Sequence, residues 1–257
     1  MRTLPTGRRG SGAGVVMEPI PESAAVLAEL EAAGGQDLSG QVRRLAGLVR
    51  RLVPQCTGMS LSLVAEGLTL TLVATDAAIA ALDGVQYLEG GPCVDALTGQ
   101  EPLRTDDLAG RMDEEAWRVF ATAGAAAGVR STLSFPVRDE QSRVLGGVNL
   151  YAATPHAFTG HEAALTELLG GWASDTMANA DLTFATRLDA ERTTGHLADQ
   201  DVISRAVGLL CVLDELTVDR ARERLVSAAA QAGVHVHELA RTILNRNESS
   251  SGDRPND

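Results

Sequence analysis

The chain has 257 residues and a formal net charge of −12. That length allows one large domain or two modest ones with ample core, and the acidic balance excludes a general affinity for nucleic acid or anionic membrane over the whole surface. There is no lysine: all 22 basic side chains are arginine. Residues 21–200 hold twelve arginines against twenty-four acids, whereas residues 201–246 hold six against six. The cysteines, Cys56, Cys93 and Cys211, are odd in number, widely spaced and without a metal-ligand pattern. They point to a reduced, cytoplasmic protein. No apolar run approaches about 20 residues, so no membrane span is expected.

In chain order, residues 1–21 read as a disordered leader, because the arginines at the start are not followed by an adequate apolar stretch for a signal peptide. A helix is expected over 22–33, where Val26, Leu27 and Leu30 share a face. Leu45, Leu48, Val49 and Leu52 then form the stripe of a second helix, ended by Pro54. At "GMSLSLVAEGLTLTLVATD" the apolar period changes to two. The stretch reads as a hairpin turning at Glu66–Gly67, with Leu61, Leu63, Leu70 and Leu72 facing inward. A short helix, "AAIAALDG", follows. The loop "VQYLEGGPCVDALTGQEPLRTDDL" comes next, then a helix around "EEAWRVFATAGAAAG". The strands "STLSFPVRD" and "RVLGGVNLYAA" close this part. An exit helix starts at "FTGHEAALTELL", where Thr159 and Glu162 have the spacing of a capping box. Asp106, Asp107 and the acids of "MDEEAW" read as helix-start acids.

This order of elements resembles a GAF domain, a bacterial sensory fold. The resemblance is carried by "YLEGGPCVDAL" at 87–97 and by "SFPVRDEQSRVLGGVNLY" at 134–151, and would cover residues 22–180. It implies an antiparallel sheet flanked by helices and a place for an unknown small-molecule or protein signal near the Gly-Pro-Cys turn. Cys93 is the ligand-binding candidate there. A helix N-terminus would favour its thiolate. A GAF relative that reduces free methionine sulfoxide uses several cysteines, which makes a cysteine-dependent reductase one reading. Such chemistry needs a resolving thiol close by, and a buried structural cysteine is the other reading. No catalytic grouping, metal cluster or cofactor signature is present, so no enzyme is expected.

Residues 160–200 read as a connecting helix and linker. Leu165, Leu168, Leu169, Trp172, Met177, Phe184 and Leu188 form an apolar seam. Such a seam pairs with its copy in a homodimer or packs on its own domain. Gly170–Gly171 marks a place for a bend.

The last part, 201–246, reads as an all-α three-helix unit, followed by a disordered tail over 247–257. Val202, Ile203, Ala206, Leu209, Leu210 and Leu213 give the first helix a broad apolar face. The second is capped by Thr217 and Gly233. In the third, Val236, Leu239, Ala240 and Ile243 form the apolar side. The unit resembles the ANTAR module, an RNA-binding output domain of transcription antiterminators. The matching residues are Ala206-Val207-Gly208-Leu209-Leu210, then Ala221, then Val236, Leu239 and Ala240.

That resemblance implies a regulator that recognises RNA stem-loops in nascent transcripts, one module per subunit. Ala206, Gly208 and Ala240 are expected to leave a shallow surface for a nucleotide. Arg205, Arg220 and Arg241 would hold phosphates or stack on bases. His235 and His237 stand where the family carries basic residues, so binding is expected to strengthen below about pH 6.5. Val207 replaces the family's lysine. This leaves open a second reading, a ligand-sensing or protein-interaction dimer whose module no longer binds RNA. The overall fold class is therefore α+β: a GAF-like sheet domain, a long connecting helix and an ANTAR-like helical module.

Overall fold

A computed structural model of the chain describes residues 38–65, 67–108, 117–178, 180 and 200–245. The expected leader, the helix over 22–33, the acids of "MDEEAW", Phe184, Leu188, the linker and the tail lie outside the described residues.

The two stripes and the alternating stretches become the scaffold of one antiparallel sheet. Helix α1 (Leu38–Leu52) carries Leu45, Leu48 and Val49 onto the sheet. Strands β1 (Cys56–Ala65) and β2 (Leu68–Ala74) form the hairpin, with Gly67 at positive φ in the turn. Helix α2 (Ala77–Glu89) starts at Asp76, whose side chain accepts the Ile79 N–H at 3.0 Å. A short α3 (Pro92–Gly99), β3 (Leu103–Thr105) and α4 (Arg118–Ala126) follow, then β4 (Ser131–Arg138), β5 (Val144–Ala152) and the exit helix α5 (Glu162–Ala178). The strand order is β2-β1-β5-β4-β3. Strand β3 sits in the stretch expected to be a loop; its three residues pair with Leu133 and its neighbours. At Gly146 the neighbouring strand comes so close that a Cβ would stand 1.9 Å from the Ser62 carbonyl oxygen, which is why "VLGGV" needs a glycine there.

The two faces of the sheet differ. Under α1 and α5 the face is apolar: Met59, Leu61, Leu133, Phe135, Val148 and Leu150 are buried with Leu165, Leu169, Ala173 and Met177. So the exit-helix seam, as far as the described residues go, packs on its own domain. Trp172 confirms that direction by donating its Nε1–H to Gln41 Oε1 of α1 at 3.0 Å. Helix α5 is not interrupted at Gly170–Gly171. The expected capping box is not formed either. Gly160 takes positive φ, the helix starts two residues later, Thr159 turns to Asp106 and Glu162 pairs with Arg104. Asp106 and Asp107 are ion-pair partners of Arg104 and Arg130, and the residues after them, 109–116, lie outside the described residues.

Three further helices follow: α6 (Gln200–Leu213), α7 (Val218–Ala232) and α8 (Val236–Leu244). Thr217 caps α7 by accepting the Arg220 N–H, and Gly233 ends it in the left-handed conformation, both as expected. This unit does not stand apart. Its apolar residues join those of α2 and α4 in one continuous core. Helix α7 lies against α2 and edge strand β2, and α8 lies against α2. Nine of the thirteen residues of α2 are buried, from Ile79 to Leu88, as suits a helix covered on every side. Gly84 makes the contact close: a Cβ there would stand 3.1 Å from both Ala232 Cβ and Leu239 Cδ1.

Candidate functional site

Two places carry chemistry. The first is the polar face of the sheet, beneath α2 and α3. Period-two alternation puts Ser60 and Ser62 of β1, Thr71 of β2, and Asn149 and Tyr151 of β5 on that face, all buried. Helix α2 turns Asp83, Gln86 and Tyr87 toward them. The Asp83 carboxylate accepts from Tyr151 Oη, from Thr71 Oγ1 at 2.9 Å and from Asn149 Nδ2 at 3.3 Å. Because Thr71 donates its one hydroxyl proton to Asp83, Tyr87 donates to Thr71 (2.8 Å) and accepts from Ser62 (2.9 Å). Burial pushes the Asp83 carboxyl up to about 6 despite these donors. The same burial, with the Asp83 charge added, holds Tyr87 and Tyr151 well above the ordinary phenol value.

Cys93 belongs to this cluster. Its backbone N–H donates to Gln86 Oε1 at 2.8 Å and its Sγ faces Ser62 Oγ at 4.0 Å. Its position at the start of α3 does not favour the thiolate. Burial, then the Asp83 charge, pushes the thiol up to about 12. Helix-end stabilisation is small beside the cost of placing a charge in an enclosed site next to a carboxylate. Cys56 is also buried, and its thiol is pushed up to about 11. A protonated, enclosed sulfur offers no nucleophile. The signal that would have revealed the cluster in the sequence is the run of Ser and Thr alternating with Leu in β1 and β2, which reads at first as the solvated side of a hairpin.

The second place is the C-terminal module. The expected shallow surface of small residues is not there. Ala206 and Ala240 are 0% exposed and lie in the apolar core, because the helices approach closely at those alanines. Gly208 is the exception: it lies on the outer side of α6 with nothing within 4 Å of where a Cβ would be. Val207, at the family's lysine position, is buried. Helical periodicity places Arg205 and Gly208 opposite Ile203, Ala206 and Leu210, and Arg241 opposite Leu239 and Ile243. Both arginines are exposed. Arg220 is exposed and paired with Glu223 at 3.2 Å, the ordinary helical pair. His235 and His237 stack on each other, ring centroids 5.6 Å apart, at the start of α8. The Glu238 side chain accepts the His235 N–H at 3.0 Å there.

Arg224 was not singled out in the sequence, and it ties the two places together. From α7 it donates to the Leu88 carbonyl at the end of α2, pairs with Glu89 at 3.3 Å and with Asp214 at 2.5 Å. Partial burial and the neighbouring Asp214 push Glu89 up to about 7, opposed by Arg224. Among the described residues no group of three or more His, Cys, Asp or Glu could hold a metal ion, and no helix is long and apolar enough to cross a membrane.

The antiparallel sheet has one polar, enclosed face, and a helical unit is docked on the helix that covers it. The chain belongs to the GAF domain family: the family model matches residues 36–178, more than half of its length, and the ANTAR domain model matches residues 191–244. The two domains make it a regulator with a sensory domain. No curated protein matches the chain. Among solved structures it is similar to the type II free methionine-R-sulfoxide reductase from Thermoplasma acidophilum (11% identity, 56% of this chain and 94% of that one, TM-score 0.40). It is also similar to the GAF domain of a two-component sensor histidine kinase from Bacillus halodurans (12%, 55% and 93%, TM-score 0.38). A third is the GAF domain from Acinetobacter phosphoenolpyruvate-protein phosphotransferase (15%, 63% and 96%, TM-score 0.40).

Proposed function

We propose that the protein is a cytoplasmic transcription antitermination regulator, in which the GAF domain receives a small-molecule or protein signal and the ANTAR domain recognises RNA stem-loops in nascent transcripts. The observation that carries this reading is the pair Arg205 and Arg241. They stand on the outward sides of α6 and α8, helices in contact within the matched ANTAR range, with Gly208 open beside Arg205. Guanidinium groups so placed can hold phosphates or stack on unpaired bases. Two copies acting together, one module per stem-loop, complete the reading. Its support is the ANTAR resemblance and not the exit helix, whose described seam is used within the subunit. Domain limits of 22–180 and 201–246, joined by 160–200, belong to the same proposal.

The buried Val207 favours a second reading, a signal-dependent interaction module without RNA affinity. Crosslinking and sequencing of bound RNA from cells separates the two. The wild-type chain should recover transcripts enriched in paired stem-loops, and the double variant Arg205→Ala, Arg241→Ala should lose most of them. Equal, unstructured recovery by both proteins would leave the second reading.

A further inference from the structure

Helix α1 belongs to the GAF domain, and its outer side is strongly basic. "LSGQVRRLAGLVRRL" contains four arginines and no acid. Arg43, Arg44, Arg50 and Arg51 are all exposed, and so is Gly47 between the two pairs. Seven residues separate equivalent arginines, or about 10 Å along the helix. Arg50 is engaged: it donates to the Cys56 carbonyl at 3.0 Å and the Thr57 carbonyl at 2.9 Å. Arg43, Arg44 and Arg51 have no ion pair among the described residues. In a chain of net charge −12, three arginines on one short helix face without an ion pair among the described residues are a feature that the packing of α1 on the sheet does not explain.

The fold brings Arg43, at the N-terminal end of this face, to a cleft shared with the C-terminal module. Helix α1 covers one side of edge strand β2, and α7 lies against the same strand. Between them runs a cleft of about 510 Å³, with Arg43 on one wall, Gly233 and His235 on the other, and Thr71 to Thr75 as its floor. Two acids line it, Asp76 and Glu238, and both are occupied as helix caps. The module itself has six arginines against six acids over 201–246, too balanced to supply the phosphate attraction that nucleic-acid binding requires.

We infer that α1 is a second RNA-contact surface: the arginine face of the GAF domain holds the phosphate backbone of an RNA that leaves the C-terminal module past His235. This rests on the RNA-binding reading above. It assigns the sequence-independent part of the affinity to the sensor domain and the discrimination between RNAs to Arg205 and Arg241.

The test is a titration of the full chain with a labelled RNA of two adjacent stem-loops, over salt from about 50 to 300 mM. The triple variant Arg43→Ala, Arg44→Ala, Arg51→Ala should bind at least about tenfold more weakly at low salt, and its slope of log affinity against log salt should be shallower by about 2. Its thermal melt should match the wild type, since no ion pair is removed. The Arg205→Ala, Arg241→Ala variant should instead lose discrimination against a scrambled RNA while keeping most of the slope. Unchanged affinity and slope in the triple variant, with wild-type binding intact, would overturn the role of α1 and leave the RNA reading standing. Wild-type chain that binds no RNA at any salt would overturn both. The rival occupant is this chain's own acidic stretch before α1. A peptide of residues 18–37 that binds wild type but not the triple variant, with RNA affinity unaffected, would assign the stripe to that segment and overturn the inference.

Discussion

The two faces of the GAF sheet are built from the same five strands and solve different problems. One is a dry layer of leucine, valine and phenylalanine beneath α1 and α5. Each such side chain contributes about 1.5–3 kcal/mol by leaving water. The other, beneath α2 and α3, encloses a carboxylate, two phenols, two amides and a set of hydroxyls that must satisfy one another. The satisfaction is incomplete: the Thr105 and Thr132 hydroxyls have no partner among the described residues. An apolar layer would have been cheaper in stability. The comparison therefore separates a layer held by apolar burial from one held by mutual hydrogen bonding, and α2 lies between the polar face and the C-terminal module.

The comparison can be broken most sharply on the apolar side. Leu150→Ala, in the centre of β5, should lower unfolding free energy by about 2–5 kcal/mol, with the same loss at pH 5 and pH 8 in urea denaturation. A loss that varied with pH would mean that the two faces are coupled. On the polar side the effect should be a slope rather than an offset. The Asp83 carboxyl is raised from 3.8 to about 6, so its stabilising contribution is complete below about pH 4 and lost as pH rises through 6. The wild type should lose about 3 kcal/mol across that window relative to Asp83→Asn, as an upper value from 1.36 kcal/mol per unit. Parallel pH profiles for the two proteins would remove Asp83 from the account. The smallest effect belongs to the seam with the module. Glu89 is raised from 4.5 to about 7, so its contribution to docking is present at low pH and fades as pH rises through 7. Amide exchange in α2 and α7, corrected for intrinsic rates, should then speed up between about pH 5 and 7 in the wild type and stay level in Glu89→Gln. Equal behaviour would detach Glu89 from docking.

Periodicity made the apolar side of this molecule legible. The stripe Leu45, Leu48, Val49 and the alternation in β1 and β2 led to the right elements in the right order, and Thr217 and Gly233 marked the ends of α7. The ANTAR-like residue pattern located the module. Local signals failed where a tertiary partner outbid them. Thr159 and Glu162 had capping spacing but found Asp106 and Arg104 instead. Cys93 sat at a helix start but was enclosed beside Asp83. Ala206 and Ala240 looked like an open shelf, yet small residues serve equally well where helices pack closely. Nothing in the spacing of Arg224 revealed that it would reach the carbonyl end of α2, because that pairing joins residues 136 apart.

Gly84 carries a consequence for how such regulators diversify. With Ala232 and Leu239 pressed against it, sensor and output share a single interior instead of meeting as separate beads on a string. An output module borrowed from another protein would have to fit as closely over Gly84 as Ala232 and Leu239 do, or it would hang loose from its new host.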